Sequence, residues 1–84
     1  MTSPAEVVMY SRRRCGLCDE ARAVVLAEMG RVPFTFQEVF IDGDDRLERD
    51  YGLRVPVVTV DGEEAFEISV DSARFRGLVL AARS

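Results

Sequence analysis

Cys15-Gly16-Leu17-Cys18 is the one stretch of this sequence whose residue types and spacing could do chemistry. Cysteines three residues apart can sit one helical turn from each other and pass between dithiol and disulfide. The 84 residues hold these two cysteines and no histidine. Without histidine there is no His-based triad and no His general base. Two thiolates fall short of a structural zinc site, which takes about four N or S ligands. Nor do they supply the several bridges of a small secreted disulfide scaffold. By residue type alone, half of a metal site or an incidental pair stays open beside the redox reading, so placement has to decide.

Placement favours redox chemistry. Glu6-Val7-Val8-Met9-Tyr10 is β-branched and aromatic and reads as a short buried strand. Ser11 to Arg14 is a polar loop, and from Gly16 a helical pattern begins. Cys15 therefore falls at the first turn of a helix, whose unpaired N–H groups and positive dipole end favour a thiolate. Arg12, Arg13 and Arg14 add positive charge beside it. Together they are expected to lower the Cys15 thiol from about 8.5 into the range of roughly 3.5–7.5. Asp19 and Glu20 oppose this and are expected to turn into solvent. Gly16 is read as keeping the turn open and Leu17 as an apolar lid.

The positioning elements follow from periodicity. Leu17, Ala21, Val24, Val25 and Met29 form one apolar stripe, with Gly30 as a stop. Phe34 to Ile41 reads as a strand that enters from the surface and ends buried. Asp44 is a candidate N-cap for a short charged helix carrying Leu47 and Tyr51, closed by Gly52. Val55 to Val60 is a strand with Pro56 at its start, Asp61-Gly62 a two-residue hairpin turn, and Glu63 to Ile68 the returning strand. Ser69 or Asp71 caps a last helix with Phe75, Leu78, Val79 and Ala82 on one face. The order β-α-β-α-β-β-α predicts an α/β domain spanning 1–84, with a four-stranded mixed sheet and its first two strands parallel.

The chain is 48% hydrophobic and 31% charged, an ordinary globular balance. Its net charge of −4 disfavours nucleic-acid binding, which needs a basic face. No apolar run has membrane-span length, and Met1 to Glu6 lacks the features of a secretory leader, so a cytoplasmic location and no membrane partner are expected. All eleven basic residues are Arg, a compositional sign of a high-GC genome. The acidic run Asp42, Asp44, Asp45, Glu48 and Asp50 is either a solvated face or a partner contact. Arg54 has two readings, a salt bridge to that run or a contact to a substrate carboxylate. Tyr10, Tyr51 and the five phenylalanines are read mainly as packing, with Tyr10 also a candidate for lining the thiol site. Pro56 is either a cis proline facing the cysteines or a simple strand-start proline.

Tyr10 to Ala21 around the cysteines, Asp42, and Tyr51-Gly-Leu-Arg-Val-Pro-Val-Val-Thr-Val-Asp-Gly62 together resemble the glutaredoxin-like branch of the thioredoxin superfamily. The likeness is strongest to small bacterial glutaredoxin-like proteins carrying C-x-L-C, and it covers nearly the whole chain. It implies a thioredoxin fold and a thiol–disulfide oxidoreductase, with Cys15 the nucleophile and Cys18 the resolving thiol. Val55 and a cis Pro56 would form a platform for substrate backbone. Arg12 matches a position where glutaredoxins often place a Lys that binds the glutathione carboxylate, and Arg14, Gly16 and Leu17 complete the candidate substrate contacts. Two departures stand out. Gly-Leu replaces the usual Pro-Tyr or Pro-Phe between the cysteines, and Glu67-Ile-Ser-Val-Asp71 lacks the glycine pair that binds the γ-glutamyl end of glutathione. The expected chain is a monomer needing no cofactor, acting on a protein or low-molecular-weight disulfide and reduced by glutathione, another small thiol or a reductase. The rival readings are a [2Fe–2S] cluster held between two chains and a redox sensor or adaptor without turnover.

Overall fold

Each stretch of matching periodicity becomes an element in the computed structural model, which describes residues 3–82. In chain order these are β1 (Ala5–Ser11), α1 (Gly16–Glu28), β2 (Phe34–Phe40), α2 (Asp45–Tyr51), β3 (Val57–Val60), β4 (Glu63–Glu67) and α3 (Ser72–Ala82). Met1 and Thr2, the start of the stretch read for a leader, lie outside the described residues, as do Arg83 and Ser84. The strands form one mixed sheet in the order β2-β1-β3-β4. β1 and β2 are parallel, and β3 runs antiparallel to both β1 and β4. This is the architecture the element order predicts.

Alternation along β1 decides the layers. Ala5, Val7, Met9 and Ser11 are buried on one face, where Ala21 and Val25 of α1 and Phe75 and Val79 of α3 also lie buried. The Phe34 and Phe75 rings meet edge-on with centroids 5.3 Å apart. Tyr10 points to the opposite face and stacks on Tyr51 of α2 at 4.1 Å, so its role is packing against that helix. α1 and α3 thus cover one face of the sheet and α2 the other. Asp61 and Gly62 have φ of 50° and 85°, the doubly positive signature of a type I′ turn.

The register places the site. Val57 pairs with Tyr10, so the residues leading into β3 run beside the end of β1, from which the cysteine loop departs. The Val55–Pro56 peptide bond is cis.

Three local expectations are corrected. The buried residues of α1 are Cys18, Ala21, Val25 and Glu28, while Leu17 and Met29 are exposed. The helix is rolled so that a carboxylate, satisfied by Arg76 of α3, takes the last inward position. β2 begins buried at Phe34, not at the surface, and its last residue Phe40 is exposed, although Ile41 just beyond it is buried as expected. As an edge strand it outruns the helical cover, and the Arg13 guanidinium lies over the Phe40 ring instead. Gly52 does end α2, but with right-handed φ of −51°. It is needed for close approach rather than for a left-handed cap, because a Cβ there would strike the Glu48 carbonyl and press on Arg12.

Candidate functional site

Cys15 is the N-cap of α1. Its backbone is extended, and its sulfur accepts the Cys18 N–H at 3.1 Å. Asp44 and Asp71 hold the same position on the other two helices, accepting the N–H groups of Leu47 at 3.0 Å and Arg74 at 3.1 Å. Asp71, rather than Ser69, therefore caps α3. Where those helices place a carboxylate, α1 places sulfur, so the dipole and the cap hydrogen bond both favour negative charge on Cys15. Cys18 lies one turn on with its Cα 5.2 Å away, and the two sulfurs are at disulfide distance. Cys18 is fully buried and Cys15 only partly so, which leaves Cys15 as the sulfur open to attack.

The charges around the pair are not arranged as their sequence positions suggest. Arg12 is ion-paired with Glu48 and donates to the Gly52 carbonyl at 3.1 Å. A substrate carboxylate would have to displace Glu48 to reach it. The Arg13 N–H donates to the Asp42 carboxylate at 3.0 Å, and the Ile41 N–H donates to the Ser11 carbonyl at 2.9 Å. Three successive residues of the cysteine loop are thus tied to the segment from Ile41 to Gly52. Asp42, Asp44 and Glu48 of the acidic run all serve this segment or its helix. Arg14 has a left-handed φ of 55° and lies exposed, and neither it nor Arg13 makes a side-chain ion pair among the described residues, so these two loop arginines are left to meet an anion. Gly16 is exposed, and a Cβ there would meet nothing within 4 Å. Its effect is to leave the approach to Cys15 uncovered, not to relieve a clash.

Asp19 is exposed as expected, but its charge is matched by Arg22 at 2.8 Å, which blunts its opposition to a thiolate. Arg22 also binds Glu38 of β2 through two nitrogens. These hydrogen bonds hold the Glu38 carboxyl below its usual range and the Arg22 guanidinium above its own. At the far end of α1, Arg76 similarly holds the buried Glu28 carboxyl down. Arg54 does form salt bridges, but with Glu64 at 2.6 Å and Glu67 at 3.2 Å on β4. It touches the acidic run only through the Asp50 carbonyl, at 2.7 Å. Burial and the neighbouring Tyr10 raise the Tyr51 phenol.

Val55 is half-buried and Pro56 buried at the start of β3. The Pro56 carbonyl accepts the Ile68 N–H at 2.9 Å, which links this segment to the end of β4. Two residues passed over in the sequence border the site. Leu53 is 98% exposed two residues before Val55, and Ile68 is exposed with φ of 73°. Neither carries a sequence signal, since an isolated aliphatic residue at an element's edge looks like ordinary packing. Among the described residues no group of three or more His, Cys, Asp and Glu side chains could hold a metal ion, and no helix is long and apolar enough to cross a membrane.

Comparison with known proteins agrees with this geometry. Of solved structures, the X-ray structure of protein XcR50 from X. campestris shares 41% identity over 89% of this chain and 96% of its own, with a TM-score of 0.72. Protein Ne2328 from Nitrosomonas europaea shares 29% identity over 92% and 93%, with a TM-score of 0.80. A mutant thioredoxin from Halobacterium salinarum, at 22% identity over 95% of this chain and 75% of its own, superposes with a TM-score of 0.67 and shows the shared thioredoxin fold. No curated protein matches. The glutaredoxin-like domain (DUF836) matches residues 6–80, nearly every residue that builds the sheet, the helices and the cysteine loop, and the chain belongs to that family.

Proposed function

We propose that this protein is a thiol–disulfide oxidoreductase working by dithiol exchange. The observation that carries the reading is the pairing of a part-exposed N-cap sulfur, Cys15, with a fully buried sulfur one turn along the same helix. The Cys15 thiolate attacks a substrate disulfide, forming a mixed disulfide and expelling one substrate thiolate. Cys18 then loses its proton and attacks the Cys15 sulfur, releasing the second substrate thiol and leaving the Cys15–Cys18 disulfide. Two electrons pass from protein to substrate. A small thiol such as glutathione, or a reductase, returns the pair to the dithiol, and the exchange uses no bound cofactor. Leu17, Gly16 and Arg14 border the attacking sulfur, and Val55, set by the following Pro56, offers its backbone N–H and C=O to an extended substrate. Arg12 serves this reading by holding the loop.

The test is stoichiometric reduction of a disulfide by the pre-reduced protein, followed by turnover with dithiothreitol or with glutathione and glutathione reductase. Cys15→Ser should abolish reduction while keeping the fold, since Ser is itself a good N-cap. Cys18→Ser should accumulate the mixed disulfide. Undiminished reduction by Cys15→Ser would overturn the proposal. Reduction of the disulfide with no glutathione-coupled turnover would assign re-reduction to another donor.

A further inference from the structure

Between α1 and the segment that follows β4 lies a cleft of about 190 Å³, which reaches Leu17 of the cysteine motif. Leu17, Ala21 and Val24 of α1 form one wall, and Ile68 and Val70 form the other. Its polar lining is Glu20 and Ser69, so it contains one carboxylate and no cation. Leu17 lies between the two cysteines, and Ile68 is hydrogen-bonded to Pro56, so the cleft opens where a substrate on Cys15 would extend.

Ile68 supplies an independent observation. It is β-branched and 40% exposed, yet its φ is 73°, a conformation such residues avoid and glycine adopts freely. The bonds from the Ile68 N–H to Pro56 and from the Ser69 N–H to the Glu67 carbonyl fix the turn in that state. Strained residues of this kind cluster at ligand clamps. Here the strain holds an apolar side chain on the lip of the cleft facing Leu17, which is also exposed.

We infer that this cleft takes one apolar side chain from a protein client, adjacent to the client's cysteine, and favours a basic residue beside it. The inference rests on the dithiol-exchange reading and names its substrate class. Apolar cavities of roughly 150 Å³ hold a benzene ring, so the cleft admits a side chain of leucine or phenylalanine size. The lone Glu20 complements a cation on the client. A small thiol whose recognition elements are carboxylates would bring an anion against Glu20 with no countercharge in the lining, a poorly compensated burial.

The test measures the second-order rate constant, the single-turnover kcat/KM, for release of thionitrobenzoate by the pre-reduced protein from its mixed disulfides with Ac-Leu-Cys-Leu-NH2, Ac-Leu-Cys-Arg-NH2, Ac-Ala-Cys-Ala-NH2, Ac-Glu-Cys-Glu-NH2 and glutathione. Each turnover oxidises the protein dithiol to its disulfide and frees one peptide thiol and one thionitrobenzoate. The expected order is Leu–Arg, Leu–Leu, Ala–Ala, then the two acidic substrates, with roughly tenfold between Leu–Leu and Glu–Glu from burial of one aliphatic side chain. Glu20→Arg, a surface change, should shrink that ratio by favouring the acidic peptide, as should Val24→Gln by making the apolar wall polar without adding charge. Equal rates for the leucine and glutamate peptides, or fastest release from the glutathione disulfide, would overturn the cleft assignment while leaving dithiol exchange intact. Failure to reduce any of the five would overturn both.

Discussion

Arg12 and Ile68 flank the same disulfide, and the chain fixes the first through its side chain and the second through its backbone. On the arginine flank every constraint is polar: Ser11, Arg12 and Arg13 are each tied to the segment between Ile41 and Gly52. On the cleft flank backbone hydrogen bonds from Ile68 to Pro56 and from Ser69 to Glu67 hold the turn, and the Ile68 side chain is left 40% exposed on a largely apolar lining with Leu17 and Val70. The first flank pairs Arg12 with Glu48 and ties the loop backbone down, and so positions Cys15. The second leaves apolar surface unsatisfied and so has something to offer a partner.

The largest expected effect tests the polar flank at its tightest point. Gly52→Ala puts a methyl group against the Glu48 carbonyl and the Arg12 guanidinium. Overpacking of that kind costs about 1–3 kcal/mol, which equilibrium urea unfolding would register as a lower midpoint. Wild-type stability in this variant would show that the segment shifts freely, and the contrast between flanks would lose its rigid half.

The apolar flank should respond in the other direction. Ile68→Asn removes a β-branched residue from a left-handed conformation that asparagine tolerates, at a site where the side chain is already 40% exposed. A gain of about 1 kcal/mol is expected. The same change should lower kcat/KM for the leucine peptide toward that of the alanine peptide. Stability gained with specificity lost is the signature of strain kept for function. Stability lost instead would mean that the Ile68 side chain is structural.

A smaller effect separates positioning from substrate binding at Arg12. Its ion pair with Glu48 is exposed by about two fifths on each side, so Arg12→Ala should cost no more than about 1 kcal/mol. The alkylation rate of Cys15 against pH should nevertheless shift as the loop loosens, and Arg12→Lys should restore part of it. A large rise in KM for acidic disulfides alone, with the alkylation profile unmoved, would make Arg12 a substrate ligand instead.

The contrast between flanks also marks how far the sequence could be read. Cys15 at a strand-to-helix junction, the Asp61-Gly62 turn and the Asp44 cap are local signals, each set by residues within one turn, and each appears where expected. The four-stranded mixed sheet, with its first two strands parallel and its last two a hairpin, follows from the same periodicities. What escaped was whatever depends on the partner a side chain finds across the fold. Glu28 is buried because Arg76 reaches it from a helix 48 residues away. Arg54 meets Glu64 and Glu67 because the hairpin folds back beside it. Arg12 is drawn to α2, and no local rule distinguishes it from Arg14. Ile68 was least legible of all, since its importance lies in a backbone angle that its residue type argues against.

Acid should erode the polar network and do so in a narrow window. Hydrogen bonds from Arg22, Arg76 and Arg54 hold Glu38, Glu28 and Glu64 below their ordinary value of 4.5. A carboxyl depressed in the folded state binds its proton more readily once unfolded, so the unfolded state carries more protons through the interval between the two values. Stability from these groups is therefore fully present at neutral pH, begins to fall as pH drops through 4.5, and is gone below the folded values. Thermal unfolding at fixed ionic strength should show a flat midpoint from neutrality down to about pH 5 and a decline beneath it. Glu38→Gln should lower the plateau slightly and shallow the decline, because it deletes one proton-linked group that ties α1 to β2 beside the disulfide. A variant whose acid limb stays parallel to wild type would show that the Arg22 contact contributes nothing proton-linked, and that packing alone holds this end of the helix.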